Sequence, residues 1–191
     1  SDLTSISGAL SARALNGASA AYGTFSLTNA NNVYSMSGGT VRIYDVCGTR
    51  AIDISSSAAN TNVTGGTFEL IPMTGTGLAD VAIHLIYSES ASFGHRTLNR
   101  TSGASDIQLE SYPLLVLGNL SLTSGTLLAN NLNTTVGGNF TVSLSGTYHS
   151  GTNTTTLNGT GNQVFTMDGT INNGATGLRN FTINKSAGLL A

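Results

Sequence analysis

The stretch VGGNFTVSLSGT, Val136–Thr147, reads as one short strand set between two turns. Phe140 and Val142 alternate with Thr141 and Ser143, the two-residue period of a strand with one apolar and one polar face. Gly137-Gly138-Asn139 ahead of it and Ser145-Gly146-Thr147 behind it are turn chemistry. On this reading Phe140 and Val142 fill a core, Thr141 faces out, and the Gly-Gly-Asn sets the corner.

Versions of the same phrase recur on both sides. LGNLSLTSGT (117–126), NQVFTMDGT (162–170) and LRNFTINKSAG (178–188) lie nearby, and MSGGTVRIY (36–44) and VTGGTFELI (63–71) are a sister form upstream. Asn119 and Asn139 are 20 residues apart and Asn139 and Asn180 are 41 apart, with Gln163-Val164-Phe165 filling the gap; Gly38 and Gly65 are 27 apart. A period of 20–27 residues made of short strands and Gly/Asn/Ser turns is a repeat signature. One such unit cannot bury its apolar face alone. Stacked units can, each strand pairing with its counterpart at a spacing of about 4.8 Å. The spacing therefore predicts an all-β fold, a right-handed parallel β-helix (β-solenoid) with roughly 20–27 residues per coil. Phe140 and Val142 should stack on Leu120 and Leu122, with Phe181 and Ile183 in the same column. Asn at the turns can stack as an amide ladder and tolerates left-handed backbone. A β-sandwich is the competing architecture. It needs hairpins, and Asn158-Gly159 is the main two-residue hairpin signal, with Asn16-Gly17 outside the strand region.

Composition agrees with strands. The 191 residues include 27 Thr, 23 Ser, 19 Asn and 24 Gly, while 8% are charged, 39% are hydrophobic and the net charge is −2. Disordered chains combine low hydrophobicity with high charge, and this chain has neither. Six scattered Arg and the single Lys185 do not make a phosphate-neutralising surface, so nucleic acid is not an expected partner. No apolar run approaches the roughly 20 residues of a membrane span, and no signal peptide opens the sequence. With strand-like NFTI close to Ala191, the chain reads as a piece of a longer, processed protein.

Residues 1–22 read as an irregular or cap-like segment, although 9–21 has some helical character, and the strand grammar fills 23–191. It loosens near 88–105, which reads as an irregular insertion carrying His95, Arg96 and Arg100. Loops that interrupt a regular scaffold are where recognition tends to sit, so these three form the candidate ligand-contact loop.

Catalytic and metal chemistry find little support. His84, His95 and His149 lack metal-ligand spacing, and Cys47, flanked by Val46 and Gly48, reads as a small buried residue. The nine carboxylates are dispersed, Asp45 and Glu69 being one pair that different coils can bring together on a face. No metal, cofactor or catalytic residue is assigned. The glycine pairs 38–39, 65–66 and 137–138 precede strands and lack a following Lys-Ser/Thr, so they are turns and not phosphate loops. Nine Asn-x-Ser/Thr sequons occur, several of them the strand-opening Asn of the repeat, which favours structural use over glycosylation. The run Thr154–Thr156 suggests a hydroxyl face for carbohydrate or ice, an idea that needs Thr columns in register.

The phrases VGGNFTV, GTNTTTLNGTGNQVF and LRNFTINKSAG resemble the repeats of large secreted surface proteins of the Bacteroidetes group. The resemblance covers about 114–191 well and 23–71 more weakly. It implies a right-handed parallel β-helix, export with type IX secretion, and a cell-surface place as adhesin or stalk. Gly94-His95-Arg96 is faintly similar to the Gly-His-Gly of polygalacturonase β-helices, but the partner Asp pairs are missing and the activity is not carried over. The expected function is a non-enzymatic structural or adhesive segment of an extracellular protein. Its partners would be other segments of the same long chain and surface glycans. The alternatives are a carbohydrate-binding or carbohydrate-active β-helix, and a subunit of a self-assembling fibre.

Overall fold

The computed structural model describes residues 9–12, 25–27, 29–44, 50–71, 83–88, 95–98, 106–171 and 178–191. The first eight strands are β1 (Ala9–Ala12), β2 (Phe25–Leu27), β3 (Tyr34–Tyr44), β4 (Arg50–Ile54), β5 (Thr61–Ile71), β6 (Ile83–Ser88), β7 (His95–Leu98) and β8 (Asp106–Leu109). The second eight are β9 (Leu114–Val116), β10 (Leu120–Leu128), β11 (Thr134–Val136), β12 (Phe140–His149), β13 (Thr154–Leu157), β14 (Phe165–Met167), β15 (Thr170–Ile171) and β16 (Asn180–Ile183). The one helical element among the described residues is a 3-10 turn at Ala58–Asn60. The protein is all-β.

Every strand pairing among the described residues is parallel. Parallel neighbours cannot be joined by a two-residue hairpin. Asn158-Gly159, the hairpin candidate, instead links β13 to β14, which pair with β11 and β16 and with β12 respectively. The strands form a large sheet of twelve and a smaller one ordered β16-β13-β11-β9.

The register carries the repeat. Leu120 pairs with Phe140 and Phe140 with Phe165, offsets of 20 and 25 residues. Leu114 pairs with Thr134, Thr134 with Thr155, and Thr154 with Asn180, offsets of 20, 21 and 26. Upstream, Phe25 pairs with Ile52 and Val41 with Phe68, both at 27. The expected period is met over most of the chain, and longer connections appear between Leu10 and Val41 (31) and between Ile52 and Ile86 (34).

Strands β3, β5, β10 and β12 are long because each turns a corner without losing its pairing. Strand β10 pairs with β7 through Leu120–Leu122 and with β8 through Thr126–Leu128, and the register with β12 shifts between Leu122 and Ser124. Gly125 sits at this bend with φ 74°, and Gly39 and Gly66 occupy the corresponding bends of β3 and β5 with φ 77° and 101°. A side chain would strain that backbone, which is why Gly-Gly-Thr recurs there. Asn130 and Asn131 take the same left-handed region between β10 and β11, at φ 51° and 60°. Asn is the non-glycine residue that tolerates it best.

Like residues stack inside. Leu120, Phe140 and Phe165 form one column, Leu122, Val142 and Met167 the next, and Val116, Val136 and Leu157 a third. All but Phe165 and Met167 are buried, and those two pack partly buried against the core. Each fully buried large side chain contributes about 1.5–3 kcal/mol relative to exposure. Phe140 also meets Tyr148 edge-on at 5.1 Å between ring centroids, the preferred aromatic geometry.

Three expectations need revision. Phe181 and Ile183 do not share the column of Phe140: they pair with Thr155 and Leu157 in the smaller sheet, and Phe165 takes the place next to Phe140. The 41-residue spacing misled because successive repeats are not equal; the step from Phe140 is 25, so residue 181 falls on another side of the repeat. Residues 9–12, within the expected cap-like segment, form β1 and pair with Thr40–Ile43. Within the expected insertion near 88–105, His95–Leu98 is a regular strand in register with Thr67–Leu70, and Arg96–Leu98 pairs with Leu120–Leu122.

Candidate functional site

Of the candidate contact residues, His95 and Arg96 stand on β7, in register with Thr67 and Phe68. Arg100 lies outside the described residues, as do Asp45 and Cys47. Glu69 finds Arg42 across the sheet, with Nε donating to Oε2 at 2.6 Å. Both groups are partly exposed, so the pair adds little to stability. His84 lies on β6 and His149 ends β12. Among the described residues no three His, Cys, Asp or Glu side chains gather, and no helix is long and apolar enough to cross a membrane.

The polar side chains that the fold brings together join one repeat to the next. Asn119 Oδ1 accepts the N–H of Asn139 at 2.8 Å, and Asn139 Oδ1 accepts the N–H of Val164 at 2.9 Å. Asn131 and Asn133 do the same for Thr152 and Thr154, at 2.8 and 3.1 Å, and Asn162 for Leu189 at 3.1 Å. The ladder is thus built from Asn side chains to backbone N–H groups one repeat on. It occupies corners, where the strand ladder leaves backbone donors without a carbonyl partner. Asn139→Ala removes one such bond and should cost about 1 kcal/mol, a melting shift of roughly 2–4 °C for a domain of this size. Asn139→Asp keeps the acceptor and should retain most of the stability, as circular dichroism melts will show.

Gln163 and Lys185 make the densest polar junction. Gln163 is buried; its Nε2 donates to Val136 O at 3.1 Å and Gly138 O at 2.5 Å, and its Oε1 accepts from Gly159 N–H at 2.9 Å. Lys185 Nζ, one repeat further on, donates to that same Oε1 at 2.8 Å and to the carbonyls of Gly159 and Gly161 at 2.7 and 2.8 Å. One glutamine therefore ties three successive repeats. The signal was present in the sequence as the paired phrases Gly161-Asn162-Gln163 and Asn184-Lys185-Ser186, but only the register reveals that they meet.

A second polar junction is internal. Tyr148 is fully buried, with Oη 2.8 Å from Thr155 Oγ1. Burial pushes its phenol above the ordinary 10.0, and the Thr134 and Thr155 hydroxyls pull it partly back. A phenol harder to ionise when folded gives stability that is complete below pH 10 and is lost as the pH rises toward the folded-state value. Tyr148→Phe should remove this alkaline loss, so urea midpoints of the two proteins should converge above pH 10 relative to their difference at pH 7.

Several outward positions are hydroxyls in register. Thr135, Thr156 and Thr182 align on the smaller sheet, Ser121, Thr141 and Thr166 on one part of the larger sheet, and Thr126, Thr147 and Thr170 on another. The run Thr154–Thr156 splits accordingly, with Thr155 buried against Tyr148 and its two neighbours partly exposed.

No protein family matches the sequence, and no curated protein or solved structure does so either.

Proposed function

We propose that this chain is a non-catalytic structural segment, a right-handed parallel β-solenoid that serves as a stiff stalk or adhesive spacer in an extracellular surface protein. The observation that carries this reading is the register: parallel strands pair with their counterparts one repeat on, at offsets of 20, 21, 25, 26 and 27 residues, with like residues opposed in the core columns of Leu120, Phe140 and Phe165 and of Val136 and Leu157. Parallel ladders that bend at glycine and asparagine corners, as β10 does between its pairings with β7 and with β8, are what the sides of a coil would give. The junctions described above bear on neighbouring repeats and not on a substrate, which supports a mechanical role. The likeness to Bacteroidetes surface repeats supports an outer-surface location. Small-angle scattering of the purified chain tests the shape: an elongated rod is expected, with slow digestion by proteases, and a spherical particle would sink the reading.

A second reading has its own observation. Phe181, Ile183 and Leu189 are 36%, 54% and 74% exposed, and Phe181, from the smaller sheet, lies 5.0 Å from the Phe165 ring of the larger one. Strand β16 is also an edge of its sheet. An apolar edge of this kind templates further strands, and end-to-end contact between copies would be heterologous and would build fibres. Concentration-dependent filaments in electron micrographs, abolished by Ile183→Lys, are expected on this reading; a monomer at all concentrations would rule it out.

A further inference from the structure

We propose that the outer face of the smaller sheet, strands β9, β11, β13 and β16, is an ice-adsorbing surface. The inference needs only the pairings within that sheet and does not depend on how the rest of the chain closes. Three observations converge on this face.

The first is regularity. All three pairings of this sheet run without a register shift, whereas β10 with β12 and β4 with β6 each contain one and β3 with β5 contains two. Outward positions therefore fall in straight rows. Thr135, Thr156 and Thr182 form one column, preceded by Leu115, and Thr154 and Asn180 form the column beside it, with the Asn133 side chain bonded to the Thr154 N–H. Adjacent strands are about 4.8 Å apart and alternate residues along a strand about 6.6 Å apart. The result is a two-column grid of small polar side chains over β11, β13 and β16, bordered by Leu115 on β9.

The second is availability. Thr152, Thr155 and Thr61 spend their hydroxyls on bonds within the molecule. The hydroxyls of Thr135, Thr154, Thr156 and Thr182 make none among the described residues, and all four are partly or fully exposed. Asn133 and Asn180 hold the second column rigid, with Asn133 Oδ1 on Thr154 N–H and Asn180 Nδ2 donating to Thr152 O at 2.9 Å.

The third is what the face lacks. No strand of this sheet carries a charged residue, and its aromatic residue, Phe181, aligns with the buried Thr155 on the inner side. A charge would hold its own water and disrupt a lattice. A sugar-binding face generally offers an aromatic ring against the apolar side of the pyranose. A rigid, uncharged row of hydroxyls and methyls, repeating near the oxygen spacing of an ice crystal, can instead order water into that lattice and merge with it.

The test is ice recrystallisation in a frozen sucrose film containing the purified chain, with grain size followed by microscopy. Wild type should keep the grains small, and Thr156→Lys should let them coarsen as in buffer alone. Thr182→Lys, on the exposed edge strand β16, should do the same. Thr141→Lys places the same charge on the other sheet and should leave inhibition intact. Coarse grains with wild-type protein overturn the proposal. So does equal loss on Thr141→Lys, or retention of the chain on crystalline cellulose or chitin through Thr156 without any effect on ice.

Discussion

Phe140→Asp should leave the repeats from about 114 to 171 without a cooperative melting transition. Phe140 is fully buried, pairs with Leu120 and Phe165 in its column, and packs against the Tyr148 and Phe165 rings at 5.1 and 5.5 Å. Removing the ring alone costs about 3–5 kcal/mol through lost transfer energy and the cavity left behind. A carboxyl in its place must stay protonated or drag water inward, which adds several kcal/mol. Total stability of a domain is about 5–15 kcal/mol, so one substitution exceeds much of it. Leu144→Asp on the same strand is the control: Leu144 is 82% exposed, and its substitution should shift stability by no more than about 0.5 kcal/mol. Thermal melts by circular dichroism and amide exchange decide between them. Equal melting of the two variants would mean that the inward and outward faces of β12 have been misassigned.

Gln163→Ala should be the most damaging polar substitution. It strips the Gly159 N–H and the Gly138 carbonyl of this partner, leaves the Val136 carbonyl with only the Asn158 N–H, and takes one bond from Lys185 in a single step. Each buried group left without a partner costs about 1–3 kcal/mol, so a loss of roughly 3–5 kcal/mol is expected. Lys185→Met removes the outer half of the junction. It should cost less, about 1–2 kcal/mol, because part of the ammonium is solvated. Lys185→Arg should not rescue it, since a planar fork cannot converge on three oxygens clustered around one point. Additive effects of Gln163→Ala and Lys185→Met would show that the two side chains act separately; the shared Oε1 predicts strong coupling.

What the sequence made legible followed from local periodicity. The alternation in β12 placed Phe140 and Val142 inside and Thr141 outside, and the glycine pairs marked the corners at Gly39 and Gly66. The 20-residue step from Leu120 to Phe140 could be read directly because the two phrases are alike. The position of Phe181 could not. Asn-Phe-Thr opens strands on two different sides of the repeat, so likeness of phrase does not fix the side when repeat length varies. The same limit hid the Gln163–Lys185 junction and the Thr135–Thr156–Thr182 column, which depend on register across repeats of unequal length. His95 and Arg96 looked like loop residues because their neighbours are polar and irregular, yet a four-residue strand pairs with β5 through them. Pairing on both sides stabilises a segment whose own sequence shows little strand pattern.

The most direct test of the stacked register is a disulfide between cysteines placed at Ser121 and Thr141, with Cys47→Ser to leave no other thiol. These residues are parallel partners 20 apart in sequence, and neighbouring strands lie within the span a disulfide bridges. Oxidation should give a monomeric cross-linked chain in high yield, and a pair at Thr141 and Thr182 should not cross-link. Failure of the 121–141 pair to close, or efficient closure of 141–182, would contradict the register on which the solenoid reading rests.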